Sequence, residues 1–191
     1  KGYTVTSCDT SEAMIQMARQ FLSEAKLPTS NLHLYDVAMC QERYSKSFNK
    51  IINLDVIEHI QDDQLALNQM HDILTPGGQL ILSVPAHPYL YGKKDVQVGH
   101  YRRYTRMMLR ERLEKAGFAD IRIRYWNLVG FLSVWLSTKL LKRSIDESFR
   151  STHRSSAQAA LNLLLRNWLQ IFENQFPMPI GLTLIAVANR I

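Results

Sequence analysis

Phe48-Asn49-Lys50-Ile51-Ile52-Asn53-Leu54-Asp55-Val56-Ile57-Glu58-His59-Ile60 is an apolar run that ends abruptly in charge. The core of the run, 50–54, has the length and composition of a strand buried on both faces of a parallel sheet. Downstream, Leu65, Ala66, Met70, Ile73 and Leu74 recur at helical spacing and define an inner helix face. That helix stops at Thr75-Pro76-Gly77-Gly78, a strong turn signal. Residues 79–84 form the next buried strand, broken by Pro85. Upstream, residues 3–7 read as a strand that stops at Cys8-Asp9-Thr10-Ser11, residues suited to cap a helix, with Glu12 in its first turn. Ala13, Met14, Met17, Ala18, Phe21, Leu22 and Ala25 give that helix an apolar stripe. Pro28 follows it, and a short strand at 32–35 ends at Asp36.

Strands alternating with helices predict a parallel α/β sheet with right-handed crossovers. Ligands bind such sheets at the carboxyl ends of the strands. Asp9, Asp36, Asp55 and the loop after Val84 all fall there. Beyond Pro85, a polar and aromatic loop runs over 86–104. Thr105 caps a third helix that ends at Gly117, and 121–125 alternates with arginine as a more exposed strand. A helical region covers roughly 127–175, and 183–187 closes the sheet. We read 1–191 as one domain, with a helical insertion at 127–180 before the last strand.

The 191 residues are 46% hydrophobic and 21% charged, the balance of a soluble globular domain rather than a disordered chain. The formal charge of +6 favours anionic partners. Its denser groups, Arg102, Arg103, Arg106, Arg110 and Arg112, and Lys139, Lys142 and Arg143, read equally as solvated helix faces. No nucleic-acid-binding motif accompanies them, so a nucleic-acid partner is not expected. Cys8 and Cys40 have neither metal spacing nor a disulfide framework, which suits a reducing, cytoplasmic compartment. Lys1-Gly2-Tyr3-Thr4-Val5 reads as a strand rather than a signal peptide. The most apolar stretch, 126–136, is about half of the ~20 residues needed to cross a bilayer. Together with the basic residues up to 143 it could rest on a membrane surface or cover a greasy substrate. Packing on the domain or in a dimer is the plainer alternative, for 126–143 and for the second apolar helix at 157–176 alike.

Asp9, between a strand and a helix, can accept both hydroxyl protons of a ribose or simply cap the helix. Asp36 can accept from an exocyclic adenine amine or cap the turn that follows it.

The order of these pieces resembles class I S-adenosylmethionine-dependent methyltransferases of the small-molecule type. FNKIINLDVIEHI at 48–60 is similar to their fourth strand, which ends in a D-V-L-E-H-like run. LTPGGQLILSVP at 74–85 looks like the turn and fifth strand that follow. VTSCDTSEAMIQMAR at 5–19 is similar to the second strand, ribose-binding acid and helix. DVQVGHYRRYT at 95–105 resembles a subgroup often linked to lipid or glycan modification.

The resemblance implies a Rossmann-like, doubly wound sheet, mostly parallel with an antiparallel last strand, and S-adenosyl-L-methionine as cofactor. It places Asp9 on the ribose hydroxyls and Thr10 or Ser11 beside the adenine. Asp36 and the backbone of Val37 would read the adenine edge, and Asn53 and Leu54 would border the methionine portion. The implied reaction is an in-line displacement on the sulfonium methyl, the protein supplying orientation and exclusion of water. The acceptor would be a small molecule, with lipid- and glycan-linked compounds among the options. A hydroxyl acceptor also needs its proton removed, and His59, His87 and His100 are the candidate bases. Each has a structural alternative: a helix-end hydrogen bond for His59, a loop role for His87, a carboxylate partner for His100. We expect no metal site, because no compact ligand cluster is visible. Arg102 and Arg103, with Tyr104 beside them, would grip an anionic acceptor. The alternative is a loop pinned to Asp95 or Glu111.

One departure stands out. Class I enzymes begin with a strand and a G-x-G-x-G-type loop, and nothing of that kind precedes Asp9. In the family that first strand lies mid-sheet, between the strands that here end at Asp9 and Asp55. Its loss would leave two rows of buried backbone groups unpaired, each at about 1–3 kcal/mol. The total exceeds a domain's usual margin. We therefore expect either a sequence shortened at its amino end or a sheet completed otherwise, without catalytic power. The second option makes the chain a non-catalytic module. A nicotinamide-dependent oxidoreductase would use Asp9 equally well, but the D-V-I-E-H run and the Pro76-Gly77-Gly78 strand entry argue against it.

Overall fold

The computed structural model describes residues 4–139, 168, 173 and 175–191. Strand β1 (Ser7–Asp9) leads into helix α1 (Glu12–Glu24), whose first turn is closed by the Ser11 hydroxyl accepting from Met14 N. Strand β2 (Leu32–Leu34) lies parallel to β1 and leads into α2 (Val37–Tyr44), capped by Asp36. Strand β3 (Phe48–Leu54) is followed by a 3-10 turn (Ile57–His59) and by α3 (Asp63–Ile73), capped by Asp62. After β4 (Leu74–Pro85), the long loop contains a 3-10 turn (Pro88–Leu90) and the short helix α4 (Lys93–Gln97). Helix α5 (Arg106–Lys115), capped by Thr105, precedes β5 (Phe118–Trp126), α6 (Leu128–Lys139) and β6 (Thr183–Arg190).

The strands form two sheets. One has the order β3-β4-β6-β5, with β3 parallel to β4 and β6 antiparallel to both its neighbours. The other is the pair β1-β2. This is the expected doubly wound order split at one place: β1 and β3 are not bonded to each other. The expectation of a sheet lacking its central strand therefore matches what forms.

Packing follows from that split. Leu80, Leu82 and Val84 of β4 are fully buried between α3, α5 and the flanking strands, in one cluster with Ala66, Leu67, Met70, Leu109, Leu113, Tyr104 and Leu184. A leucine buried this way contributes about 1.5–3 kcal/mol. Two expectations need correction. The inner face of α3 turns on Leu67, whereas Leu65 is 51% exposed. The apolar stripe of α1 is not a core face: Met14, Met17 and Phe21 are 47%, 63% and 70% exposed. On β3, Ile52 and Leu54 are likewise exposed.

The Thr75-Pro76-Gly77-Gly78 signal also resolves differently. The strand continues through it, and the register jumps from Phe48↔Leu74 to Lys50↔Gln79. Gly77, at φ +76°, lets the backbone make that bulge. Beyond α6, the expected helix at 157–176 lies outside the described residues except for Trp168, Glu173, Gln175 and Phe176. The buried Glu173 carboxylate accepts from Asn127 N and Leu128 N at the start of α6.

Candidate active site

The expected cofactor residues lie at the carboxyl ends of β1, β2 and β3. Asp9 closes β1, and its Oδ1 accepts from Ser11 N at 2.7 Å, which fixes the carboxylate at the strand–helix turn. Thr10 is exposed and Ser11 half-buried. Asp36 is exposed after β2, and its Oδ1 accepts from Met39 N at 2.8 Å, so the capping alternative is what its side chain shows. Val37 opens α2 and is half-buried. On β3, Leu54 points outward, whereas Asn53 is buried with no hydrogen-bond partner for its Oδ1. A buried amide oxygen left unpaired costs about 1–3 kcal/mol and is the sort of group a ligand satisfies.

A second constellation lies beyond β3. Asp55 adopts φ +53°, its N–H donates to Ser83 O, and its Oδ1 accepts from Ser83 Oγ at 3.0 Å. The chain then turns so that Glu58 points inward and His59 outward. Glu58 is completely buried, and neither carboxylate oxygen has a hydrogen-bond partner. Burial pushes its carboxyl up to about 7 against the pull of its own backbone N–H, the nearby Asp55 charge adding to the shift and Arg103 opposing it. The loop after α4 closes over it: Tyr101 N donates to Glu58 O at 2.8 Å. His100 Nε2 comes 3.9 Å from Glu58 Oε1, and the His59 and His100 rings meet edge to face at 4.6 Å.

His100 is held from behind by Asp95. Its Nδ1 lies 3.0 Å from Asp95 Oδ1, and the same oxygen accepts from Arg103 Nε at 2.8 Å, while Asp95 Oδ2 accepts from Gly92 N. Although burial works against it, these donors hold the Asp95 carboxyl below its usual range. Protonation of Nδ1 toward Asp95 leaves the Nε2 lone pair facing Glu58. The expectation that the histidines belong to no compact ligand cluster is thus corrected. Donor atoms of Glu58, His59 and His100 lie within 4.8 Å of one another, the one such group of three among the described residues.

The remaining expected site residues have internal partners. His87 is buried at φ +64°, its Nε2 donating to Gly181 O at 2.9 Å and its ring stacked on Tyr125 at 5.4 Å. These contacts commit its Nε2 to the backbone. Arg102 donates to Ile60 O and Gln61 O and pairs with Asp63 at 3.0 Å. Arg103 is spent on Asp95 and Ala86 O. Tyr104 is fully buried and donates its hydroxyl to Asp63 Oδ2 at 2.7 Å. Asp63 also binds Arg112 at 2.6 Å. The loop is therefore pinned by Asp95, as the structural alternative had it, and by Asp63 in place of Glu111. Sequence reasoning did not single out Glu58; the signal was a glutamate between Ile57 and His59 in the turn after β3.

The profile of a methyltransferase-domain family matches residues 1–123, the span from β1 into β5 that holds both constellations. The chain belongs to this family, and its fold is the Rossmann-like one of class I methyltransferases. A ubiquinone biosynthesis O-methyltransferase of Ruegeria pomeroyi is 28% identical over 91 residues, 47% of this chain and 36% of that protein. A tRNA U34 carboxymethyltransferase of Syntrophotalea carbinolica is 30% identical over 115 residues, 53% of this chain and 35% of that one. The chain spans about a third of the length of these curated relatives. Among solved structures, phosphoethanolamine N-methyltransferase 2 of Haemonchus contortus, in complex with S-adenosyl-L-methionine, superposes with a TM-score of 0.60 at 20% identity. The superposition covers 96% of this chain and 42% of that one.

Proposed function

We propose that this chain serves S-adenosylmethionine-dependent methyl transfer to a hydroxyl of a small-molecule acceptor. The observation that carries the reading is the coincidence of Asp9, Asp36 and the unpartnered Asn53 Oδ1 at the carboxyl ends of three strands. These residues fit the cofactor: a fixed carboxylate for ribose hydroxyls at Asp9, and an acid with the Val37 backbone for the adenine edge at Asp36. Asn53 Oδ1, with Leu54 beside it, suits the ammonium of the methionine portion. When bound, the cofactor would supply an electrophilic sulfonium methyl. The residues after β3 would orient the acceptor and take its proton, His100 through Nε2 with Asp95 stabilising the resulting cation.

The acceptor we favour is not strongly anionic, because Arg102, Arg103 and Arg112 are each already paired with Asp63 or Asp95. The same pairing speaks against nucleic acid as the acceptor. A lipid- or glycan-linked hydroxyl fits the exposed Leu132 and Trp135 on α6, which support a peripheral membrane contact through 126–143. Of that segment, 140–143 lie outside the described residues. Among the described residues, no helix is long and apolar enough to cross a membrane. The two free cysteines favour a reducing, cytoplasmic setting.

A specific observation favours a second reading, that of a non-catalytic methyltransferase-like module: β1-β2 is not joined to β3. Calorimetric titration with S-adenosylhomocysteine separates the two. We expect one-to-one binding that Asp9→Ala weakens by tenfold or more without lowering the melting temperature. A folded chain that takes up no ligand would leave the module reading standing and the enzyme reading without its site.

A further inference from the structure

The geometry points to a divalent transition-metal site formed by Glu58, His59 and His100, with Asp95 as the outer partner that aims His100. Two imidazole nitrogens and one carboxylate oxygen are a donor set suited to zinc, manganese, iron or cobalt, and they leave coordination positions open. Ligands at about 2.0–2.2 Å from one ion lie no more than about 4 Å apart. The donor atoms here are within 4.8 Å of one another, so small side-chain rotations close the set.

Three independent features support an ion rather than a chance grouping. First, Glu58 is fully buried with both oxygens unpartnered, which in a finished core is rare for any carboxylate. Second, His100 already has the carboxylate–histidine arrangement that fixes a metal-binding tautomer: Nδ1 is tied to Asp95 at 3.0 Å, and Nε2 faces Glu58. Third, the loop is built to bring the two halves together. Gly99, at φ +82°, makes the turn before His100, and a side chain there would sit 3.6 Å from His59 Nδ1. Arg103 and Gly92 hold Asp95, and Tyr101 N holds the loop to Glu58 O.

The site is one-sided. Glu58 supplies the buried floor and His59 is exposed, so the open coordination positions face outward. A hydroxyl oxygen of the acceptor is the ligand chemistry that fits there. Bound to the ion, that hydroxyl is acidified and loses its proton to water before accepting a methyl group. This use of the ion rests on the methyl-transfer reading above, with the ion, which would occupy His100 Nε2, taking over from that nitrogen the removal of the acceptor's proton; the existence of the site does not.

The test is a titration of the metal-stripped chain with Co²⁺, read by its visible absorption, then displacement by Zn²⁺. We expect one equivalent of Co²⁺ with a band typical of low coordination number. His59→Asn and His100→Asn should each weaken binding at least tenfold, and Asp95→Asn about tenfold to a hundredfold, as outer partners do. His59 is exposed, so its variant keeps the test valid if Glu58→Gln or His100→Asn unfolds. No saturable Co²⁺ band, or a band unchanged in His59→Asn, overturns the site; the latter would mean that the ion is held by other ligands. Binding of S-adenosylhomocysteine is measured separately without metal. Its failure counts against the methyltransferase reading alone, and failure to bind Co²⁺ counts against the metal site alone.

Discussion

His87 shows how a residue read as chemical becomes structural once its neighbours are known. Its ring is sandwiched near Tyr125, Phe131 and Tyr89, and its Nε2 is committed to Gly181 O. Burial lowers its pKa, Arg103 adding to the shift and the Gly181 carbonyl opposing it. In the unfolded chain the imidazole takes up a proton near its ordinary value of about 6.5. The folded state resists that proton, so it binds fewer than the unfolded state as pH falls through that value. Stability contributed by neutral His87 is therefore present above about pH 6.5 and is lost below it. Urea unfolding between pH 7.5 and 5.5 should show this acid slope. His87→Asn, which tolerates the positive φ, should flatten it; an unchanged slope would assign the effect to another group. Tyr104→Phe tests the other buried polar centre. Asp63 keeps Arg102 and Arg112 but loses the hydroxyl, a cost of about 1–3 kcal/mol in the same urea measurement.

At the scale of elements, the loop 86–104 decides how the site is assembled. Its course depends on α4, on the Asp95–Arg103 pair and on the turn at Gly99. Gly99→Ala places a Cβ in a left-handed conformation, at a cost of about 1–2 kcal/mol. The space itself is adequate, the nearest contact being 3.6 Å from His59 Nδ1. We expect a modest fall in melting temperature with a larger loss of Co²⁺ affinity, and partial recovery in Gly99→Asn, because asparagine tolerates φ above zero. Equal losses of affinity in Ala and Asn would remove backbone conformation as the cause. These same elements mark what a sequence discloses. Caps at Ser11 and Thr105 and the strands through Leu54 and Val84 were legible, because capping chemistry and apolar runs are local, although of the two strands only β4 is buried as expected. Helix α2 was missed, since Val37–Tyr44 carries no clear apolar period. The Thr75-Pro76-Gly77-Gly78 signal was legible as irregular backbone, but only the partner strand reveals a bulge. Glu58, His59 and His100 were individually visible. Their convergence was not, because it depends on a loop closed by hydrogen bonds between residues far apart in sequence.

At the scale of the whole molecule, the split sheet divides the chain into parts of unequal strength. Strand β4 is bonded on both sides and contributes Leu80, Leu82 and Val84, all fully buried, to a core shared with α3, α5 and β6. The β1-β2 pair matches only Ser7, Cys8 and Asp9 with Leu32, His33 and Leu34, and Ile15 is the one buried side chain of α1. A pair of short strands with so little covered apolar surface is marginal by itself. Local opening of such a unit requires far less free energy than global unfolding. Amide exchange should therefore show the slowest exchange in β4 and β6 and much faster exchange in β1, β2 and α1. S-adenosylhomocysteine supplies a discriminating second arm. If Asp9, Asp36 and Asn53 bind one molecule together, the ligand ties the weak pair to the end of β3, and protection in β1 and β2 must rise while that of β4 stays near its global value. Binding that leaves β1 and β2 as unprotected as before would mean that the ligand does not bridge the two sheets. Uniform protection across all six strands without ligand would show that the two sheets open as one cooperative unit, against the division argued here.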